Sequence, residues 1–325
     1  MVTLNAAIVG LGRWGQNLVN AVQGKSARLH FVRGVAMELE SARAFGAQHG
    51  FPVSSDFNDV LSDPRVKAVV LATPHSLHTG QIVAAARAGK HVFCEKPLAL
   101  TLAGTQTSID ACRAAGVVLG LGHQRRFWPA VAAMREQVMS GRLGDILHIE
   151  GHFSNEHSNH VVPGSWRDDA EESPGGGMTG AGLHVLDSMI SMLGPVATVH
   201  ARLHVRKPQP APLDSVTALY EFESGASGML ATVRATPMYW RLHVFGSQGS
   251  AEALGETEWA LRMTGQPVER RELAPVDSLR FVLEAFVDAV DGRAPYPISA
   301  EQMRATTAAF EATLRSMAED RLQRA

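Results

Sequence analysis

The 325-residue chain is poor in cysteine and has only Cys94 and Cys112. Two thiols cannot form a disulfide framework, and their spacing matches no zinc-binding pattern, which excludes a disulfide-stabilised or zinc-finger fold. The simplest interpretation is two reduced thiols, so we expect a cytoplasmic protein. The N-terminus leads directly into an apolar strand pattern, without the basic segment and long apolar stretch of a signal peptide, which agrees with that expectation.

Long apolar segments and an excess of one charge are also missing. No stretch approaches about 18 uninterrupted apolar residues, so we expect no transmembrane helix and no membrane partner. The 30 basic and 32 acidic residues give a formal net charge of −2, and Lys and Arg form no run, which argues against a nucleic-acid partner. With 45% hydrophobic and 19% charged residues, the composition is typical of two folded domains of ordinary size.

Short apolar runs alternate with amphipathic segments in the first third of the chain. Strands are predicted at Ala6–Val9, Phe31–Ala36, Lys67–Ala72, His91–Cys94 and Val117–Leu121. Helices are predicted at Arg13–Val22, Glu40–His49 and Leu77–Ala88. This alternation indicates βαβ units and a parallel sheet covered on both faces. The α/β fold therefore begins with a doubly wound Rossmann domain, predicted over residues 1–122.

The pattern changes after Gly122. Val216, Ala218, Tyr220 and Phe222 share one face of a predicted strand, and further strands are predicted at residues 229–235 and 241–245. Helical patterns return at residues 278–290 and 300–317. Residues 123–325 are therefore predicted to form a substrate-binding and oligomerisation α/β domain with an open, mostly antiparallel sheet. Its last helix could pack back on the first domain.

A glycine-rich loop, Gly-Leu-Gly-Arg-Trp-Gly at residues 10–15, joins the first strand to the first helix. Gly10 permits the tight turn, Gly12 lets the backbone approach a pyrophosphate, and Gly15 lets the helix pack close to the strand. Backbone N–H groups at the helix start would then face the anion. Arg13 and Trp14 are candidate cofactor-binding residues of the same loop, although the indole could simply be a packing group. The alternative is a glycine-rich turn without a ligand.

The residue that selects the adenosine ribose is less well defined. An acid at the end of the second strand usually binds the ribose 2′-hydroxyl. Here the first carboxylate is Glu38, one place after Val35-Ala36-Met37. Arg33 and Arg43 could help to hold a 2′-phosphate or could be ordinary surface arginines. The cofactor is therefore NAD or NADP, with NAD favoured.

Two further segments carry a family resemblance: residues 72–78, Ala-Thr-Pro-His-Ser-Leu-His, and residues 88–99, Ala-Gly-Lys-His-Val-Phe-Cys-Glu-Lys-Pro-Leu-Ala. They resemble the glucose–fructose oxidoreductase and inositol dehydrogenase family, Gfo/Idh/MocA, of which Glu-Lys-Pro is the most specific signature. Shorter matches occur at residues 122–127, 140–144, 165–167, 175–177 and 182–187. The resemblance runs from about residue 4 to residue 315 and implies a Rossmann domain followed by an open, mostly antiparallel α/β domain.

The resemblance also implies roles for individual residues. It implies that the nicotinamide side of the cofactor is lined by Thr73, Pro74, His75 and His78, and that the nicotinamide ribose is contacted by Glu95. Lys96 would point between nicotinamide and substrate, and His184 would face the same pocket from the second domain. Substrate contacts are expected from Arg126, Trp166, Arg167, Gly180 and His184.

Gly180 is a departure from the family pattern. In dehydrogenases of this family an Asp commonly stands four residues before the helix histidine, and positions four apart share a helix face. The usual Lys-Asp-His set is therefore reduced to Lys96 and His184, and Gly180 opens space where a carboxylate would bind a hydroxyl. Asp187, one turn after His184, could orient the histidine or cap a neighbour.

Oxidation of an alcohol requires a base for the hydroxyl proton. A lysine with an ordinary pKa of about 10.4 is a poor base at neutral pH, although burial and a nearby cationic ring could lower that pKa for Lys96. Histidine, with an ordinary pKa of about 6.5, is suited to the task. We therefore favour His184 as the base and Lys96 as the electrostatic stabiliser.

The predicted function is an NAD(P)-dependent oxidoreductase that transfers a hydride between a nicotinamide cofactor and a hydroxyl or carbonyl of a sugar, polyol or related cyclic small molecule, as a homodimer or homotetramer. One alternative is a glycosidase-like enzyme with tightly held NAD. Another is a non-catalytic, cofactor-dependent sensor or regulator that acts through a protein partner. His152, His157 and His160 are interpreted as a polar loop beside the site rather than as zinc ligands, so no metal is expected.

Overall fold

The computed structural model describes residues 3–156, 161–208 and 212–325. By its internal contacts the chain divides into two compact units. The first contains Met1–Gln124 and Asp277–Met303, and the second contains Arg125–Val276 and Arg304–Ala325. The domain limits predicted from the sequence, 1–122 and 123–325, differ from this division and remain a prediction.

The strands are β1 Leu4–Val9, β2 Leu29–Val35, β3 Val53–Ser54, β4 Ala68–Leu71, β5 His91–Glu95, β6 Leu119–Gly122, β7 Ile146–Ser154, β8 Val196–Lys207, β9 Leu213–Phe222, β10 Ser227–Val233, β11 Tyr239–Gly246, β12 Gly249–Leu254, β13 Glu258–Met263, β14 Glu269–Glu272 and β15 Gln323–Arg324. The α-helices are α1 Arg13–Val22, α2 Leu39–Gln48, α3 Asn58–Leu61, α4 His78–Arg87, α5 Leu102–Ala115, α6 Pro129–Met139, α7 Leu183–Leu193, α8 Ser278–Val290 and α9 Ala300–Glu319.

The first unit contains a six-stranded sheet in the order β3-β2-β1-β4-β5-β6, and its neighbouring strands are parallel. This is the strand order of doubly wound dinucleotide-binding folds, in which ligands bind at the carboxyl ends of the strands. All four residues of β4 are fully buried, as expected for a strand covered on both faces. The predicted Rossmann sheet is confirmed.

Helices of the first unit begin and end where side-chain chemistry allows it. Thr101 caps α5 by accepting a hydrogen bond from the Gly104 N–H, and Gly116 ends the helix at φ 66°, a conformation that glycine adopts without steric cost. The late helix α8 packs on α1 and β2. An Arg28–Asp288 ion pair and a 2.7 Å hydrogen bond from Ser26 Oγ to Glu284 hold α8 there.

The second unit is built on a nine-stranded sheet in the order β14-β13-β12-β11-β7-β10-β9-β8-β15. Among the strand pairs that the structure describes in this second sheet, only β7 and β10 are parallel, which confirms the mostly antiparallel prediction. Helices α6 and α7 contact this sheet. Gly151 of β7 leaves room for that packing, because an added Cβ would lie 2.2 Å from Val185.

The opposite face of this sheet, here called the open face, carries exposed apolar side chains. Leu219 is 59% exposed, Met229 39% and Tyr239 44%. Along β9 buried and exposed residues alternate strictly from Asp214 to Phe222 apart from half-buried Ser215, as expected of a strand with one covered face. Strand β10 ends at Val233 rather than at the predicted Ala235, because Ala235 has φ 67° and cannot continue the strand.

Across the ranges that the structure describes, no helix combines the length and the apolar character needed to span a bilayer.

Candidate active site

The glycine-rich loop has the close packing that its sequence predicts. Gly10 has φ 93°, and an added Cβ would lie 2.5 Å from the Ala72 carbonyl oxygen. At Gly15 an added Cβ would lie 1.9 Å from the Gly10 oxygen. Both positions therefore exclude larger residues. Gly12 differs, since an added Cβ there would meet no described atom within 4 Å.

Gly12 is the residue before the first turn of α1, and its own conformation, φ −67° and ψ 179°, is open to any amino acid. The first turn continues with the exposed Arg13 and the half-buried Trp14. A helix N-terminus with free space and a cation favours an anion. The loop is therefore suited to a pyrophosphate, and neither the backbone conformation nor the described packing requires glycine at residue 12.

The carboxylate proposed for the adenosine ribose lies just beyond the second strand. Strand β2 ends at Val35, Met37 is 87% exposed, and the exposed Glu38 is the N-cap residue of α2. Arg33, considered for a 2′-phosphate, instead forms an ion pair with Asp63 at 3.2 Å. Asp63 is also paired with Arg65, whose hydrogen bond lowers the pKa of the Asp63 carboxyl well below its usual range.

The segment after β4 is fixed by two side chains. Thr73 donates a hydrogen bond from Oγ1 to Gln81 Oε1 at 2.6 Å, and Pro74 and His75 lead into a short 3-10 turn before α4. His78, the first residue of α4, is fully buried. Its ring lies between two backbone carbonyls, with Nδ1 2.7 Å from the Pro97 oxygen and Nε2 3.1 Å from the Thr73 oxygen.

Glu95 ends β5 with a buried carboxyl group, 5% exposed. Its Oε2 accepts a 3.3 Å hydrogen bond from the Lys96 N–H, while Oε1 has no hydrogen-bond partner among the described residues. Gly122 leaves room for this carboxyl, because an added Cβ would lie 2.6 Å from Oε1. An acceptor oxygen is therefore buried and available at the carboxyl end of the sheet.

Burial raises the pKa of Glu95 to about 7, against the opposing influence of the Trp14 indole N–H and of the Lys96 charge. The indole nitrogen lies outside hydrogen-bond geometry with the carboxyl. Lys96 follows directly, half-buried, and its peptide bond to Pro97 is cis. Trp14, Glu95 and Lys96 thus belong to one end of the first unit's sheet.

In the second unit, a glycine turn leads into the helix that carries His184. Gly175 and Gly176 have φ of 69° and 59°, and an added Cβ at Gly176 would lie 2.8 Å from Asp214 Oδ2. The Gly177 N–H donates to Asp214 Oδ1 at 3.2 Å, and Asp214 is also paired with Arg234. The buried carboxylate of Asp214 therefore holds the turn, and glycine at residue 176 leaves room for it.

The chain then forms a π-helix at Met178–Gly182 before it continues as α7. Such widened turns often occur at functional sites. Gly180 is exposed, and an added Cβ would meet no described atom within 4 Å. His184 is 5% exposed and lies edge-on to Phe153 at 6.1 Å between ring centroids. The predicted open space at Gly180 is thus present one turn before His184.

Arg126 is the ion-pair partner of Asp187, which lies three residues after His184. The two side chains form a bidentate ion pair with both N–O distances at 2.7 Å, and they are 8% and 1% exposed. Asp187, considered from its sequence position for orienting the histidine or capping a neighbour, forms this ion pair. Removing one partner of a buried pair typically costs about 3–5 kcal/mol, because the other charge stays buried without a counter-charge, so we expect replacement of Arg126 to destabilise the folded chain.

Arg125 is a residue of this region that sequence reasoning missed. Its guanidinium carbon lies 4.1 Å from the ring centroids of Trp128 and Phe153 and 4.9 Å from that of Trp240. Burial lowers the pKa of Arg125 to about 9, opposed by the charge of Glu256. Phe153 and Trp240 come from separate strands, so only the tertiary structure brings them to Arg125.

The remaining predicted substrate residues lie in the segment before the glycine turn. Trp166 begins a 3-10 turn, and the exposed Arg167 places its guanidinium 4.1 Å from the Trp166 ring centroid. His157 and His160 lie outside the described residues. Within the described ranges, no cluster of three or more His, Cys, Asp or Glu side chains is arranged to hold a metal ion.

A parallel sheet in the order 3-2-1-4-5-6, with an open glycine loop at α1 and a Glu-Lys pair at the end of β5, defines a dinucleotide-binding oxidoreductase architecture. The family model described as "Oxidoreductase family, NAD-binding Rossmann fold" matches residues 4–123, and the GFO/IDH/MocA C-terminal domain matches residues 131–252. The chain therefore belongs to the GFO/IDH/MocA family of NAD-binding oxidoreductases, as its motifs predict.

Individual relatives agree with this assignment. The chain is 31% identical to scyllo-inositol 2-dehydrogenase (NAD(+)) of Bacillus subtilis over 76% of this chain and 72% of that protein. It is 33% identical to levoglucosan dehydrogenase of Pseudarthrobacter phenanthrenivorans over 61% and 48%, respectively. The solved structure of aldose-aldose oxidoreductase from Caulobacter crescentus, 24% identical, superposes with a TM-score of 0.89 over 100% of both chains and shows the same fold.

Proposed function

We propose that this oxidoreductase is a dehydrogenase or reductase that transfers a hydride between NAD and a CH–OH or carbonyl group of a cyclic, polyhydroxylated small molecule. The observation that carries the proposal is the carboxyl edge of the first sheet. There the open loop at Gly12 follows β1, and the buried Glu95 with Lys96 ends β5. Carboxyl ends of parallel strands share one edge, so a phosphate site and a polar reactive site belong together.

The chemistry of the donor set fits a nicotinamide dinucleotide. Residues that would hold it are Gly10, Gly12, Arg13, Trp14 and Gly15 at the pyrophosphate, Glu38 at the adenosine ribose, and Thr73, Pro74, His75, Glu95 and Lys96 towards the nicotinamide. The buried, unpartnered Oε1 of Glu95 matches the need of a ribose hydroxyl for an acceptor. When bound, the dinucleotide supplies hydride transfer at its nicotinamide ring.

NAD is favoured over NADP because Arg33, near the end of β2, already has carboxylate partners. Arg33 forms ion pairs with Asp63 and Asp59, and Glu38 would repel a 2′-phosphate while it could accept a hydrogen bond from a 2′-hydroxyl.

We assign the proton chemistry to His184 and Lys96. His184 lies on α7 edge-on to Phe153, and the Arg126–Asp187 pair lies one turn later on the same helix. An imidazole can accept the hydroxyl proton during oxidation and return it during reduction. The ammonium group of Lys96 stabilises negative charge that develops on the reacting oxygen.

The substrate class is supported by two relatives, whose names describe scyllo-inositol and levoglucosan. Each is a cyclic compound with several hydroxyl groups. Trp166, Arg167 and the space at Gly180 are the groups that we assign to substrate contacts, since an indole face and a guanidinium are suited to sugar rings and hydroxyls.

We further propose a cytoplasmic homodimer or homotetramer that assembles through the open face of the second unit. Leu219, Met229 and Tyr239 expose apolar surface on that face, and exposed apolar patches of this kind often mark protein–protein contacts. The two buried thiols, Cys94 and Cys112, agree with a reducing compartment.

The test compares Gly12→Ala with a matched control, Gly80→Ala. Both glycines have ordinary φ values and open surroundings, and Gly80 is exposed on α4, where alanine is tolerated or stabilises by up to about 1 kcal/mol. NADH binding, measured by its fluorescence and by calorimetry, should weaken at least about tenfold in Gly12→Ala, because the methyl group occupies the pyrophosphate space.

Gly80→Ala should bind like the wild type. Equal NADH affinity in all three proteins would contradict the phosphate-loop assignment. With binding established, NAD reduction is followed in the presence of scyllo-inositol and levoglucosan, and NADP replaces NAD in a parallel series. Tight NADH binding without turnover on any cyclic polyol would contradict the proposed substrate class.

A further inference from the structure

His78 connects two loops at the reactive edge of the first sheet. One ring nitrogen lies 2.7 Å from the carbonyl oxygen of Pro97 and the other lies 3.1 Å from that of Thr73. Thr73 follows β4, and Pro97 follows β5 directly after Lys96. The ring is 0% exposed, so it is enclosed by protein rather than presented to a ligand.

The strand pairing alone does not fix these loops. The β4–β5 register ends at Leu71 opposite Cys94, and the backbone then diverges into the Thr73 and Lys96–Pro97 segments. A carbonyl oxygen only accepts hydrogen bonds, so a histidine ring nitrogen stabilises it by donating an N–H. The shorter contact indicates that Nδ1–H donates to Pro97, which anchors the peptide unit that carries Lys96.

We propose that His78 is a positioning residue for Lys96, which acts by fixing the Pro97 and Thr73 backbone and does not contact the dinucleotide. The family resemblance places this histidine on the nicotinamide side of the cofactor, whereas its burial and its two backbone contacts indicate an indirect role. The proposal rests on the proposed function of Lys96. A displacement of about 1 Å in a reacting group can lower a rate about 100-fold, so such an anchor has a measurable kinetic effect.

Two substitutions separate the contacts of His78. His78→Phe keeps an aromatic ring and removes the hydrogen bond to the Pro97 oxygen together with the ring nitrogen that faces the Thr73 oxygen. His78→Asn places an amide N–H near the position of Nδ1 and so preserves the contact to Pro97. The matched control is His91→Phe at the opposite end of β5, where His91 Nδ1 accepts a 3.0 Å hydrogen bond from the Val118 N–H. This control removes one hydrogen bond between a side chain and the backbone from the same strand, at the end of β5 opposite to Lys96.

The first readout needs no turnover. Amide hydrogen exchange in a peptide covering residues 95–99 should rise about tenfold or more in His78→Phe, remain near the wild-type rate in His78→Asn, and be unchanged in His91→Phe. Equal exchange at residues 95–99 in His78→Phe and in the wild type would overturn the proposal, even if NADH binding and activity were absent and the proposed function itself had failed.

The second readout is kinetic. In His78→Phe we expect kcat to fall about 10- to 100-fold while the Kd for NADH, measured by fluorescence, changes less than about threefold, with His78→Asn restoring most of kcat. A loss of NADH affinity as large as the loss of kcat would show a direct cofactor contact and overturn the positioning role. An equal loss of kcat in His91→Phe would reduce the effect to general destabilisation and overturn it as well.

Discussion

Glu95→Gln is the substitution whose consequence can be worked out most fully from the structure. Burial raises the pKa of the Glu95 carboxyl from 4.5 to about 7 in the folded protein. At about 1.4 kcal/mol per pKa unit, this difference corresponds to at most about 3 kcal/mol in the free energy of unfolding. The amide of glutamine keeps the shape of the side chain and removes the ionisation.

The sign of the pH dependence of the unfolding free energy follows from the number of protons bound by the folded and unfolded states. Between pH 4.5 and about 7 the folded protein keeps the Glu95 proton while the unfolded chain has lost it. Because the unfolded state then binds fewer protons, the unfolding free energy falls as the pH rises through this window. Above about pH 7 the loss is complete and constant. The wild type should therefore lose stability relative to Glu95→Gln as the pH rises, by about 2–3 kcal/mol from about pH 5 to about pH 8.

The assay is urea unfolding at a series of pH values, followed by circular dichroism and intrinsic fluorescence, and analysed where both give one midpoint. The quantity of interest is the difference in unfolding free energy between Glu95→Gln and the wild type, since other ionisable groups cancel in it. Glu40→Gln, an exposed carboxyl of the same unit, is the control and should show a difference that barely changes with pH. A pH-independent difference for Glu95→Gln would refute a buried carboxyl with a raised pKa.

Two further substitutions test the reactive groups. Lys96→Met keeps the aliphatic length without the charge. We expect kcat to fall at least about 100-fold and the Kd for NADH to stay within about tenfold, since the loss is in the transition state. Substitution of the exposed Lys67 by Met is the control, and normal turnover in Lys96→Met would contradict a catalytic role for Lys96. The aspartate side chain of Gly180→Asp fits into open space, so the midpoint of thermal unfolding should stay near that of the wild type. We expect kcat/KM to fall at least about tenfold, because a carboxylate then fills the space that we assign to substrate. Improved turnover in Gly180→Asp would show that the glycine is not a substrate adaptation.

Local sequence patterns predicted five of the six strands of the first sheet, all except the two-residue β3, Val53–Ser54. The run at residues 68–71 is apolar at every position and forms a strand buried on both faces, and the predicted limits of α1, Arg13–Val22, are those observed. Gly10 and Gly15 could be interpreted from sequence because their roles are steric and local to one strand–helix turn. Helix α4 begins one residue later than predicted, at His78, because His75–Leu77 forms a 3-10 turn first.

Several features of the site depend on contacts between residues distant in sequence. Arg126 meets Asp187 61 positions later, and Arg125 is enclosed by aromatic rings from two separate strands. The buried carboxyl of Glu95 depends on Gly122 across the β5–β6 pair. No local periodicity records such pairs, because their energies depend on burial and distance after the sheets have formed.

The sequence by itself determined the alternation of strands and helices, the open glycine loop and the Glu-Lys-Pro segment, since each depends on hydrophobic period, backbone freedom or a short motif. Only the tertiary structure decided that α8 joins the first unit, that Arg126 is neutralised by Asp187, and that His78 is buried between two carbonyls. The physical reason is that the charge state, solvation and hydrogen-bond partners of a polar side chain are set by its three-dimensional neighbours, whereas the fold is largely set by the local pattern of apolar residues and glycines.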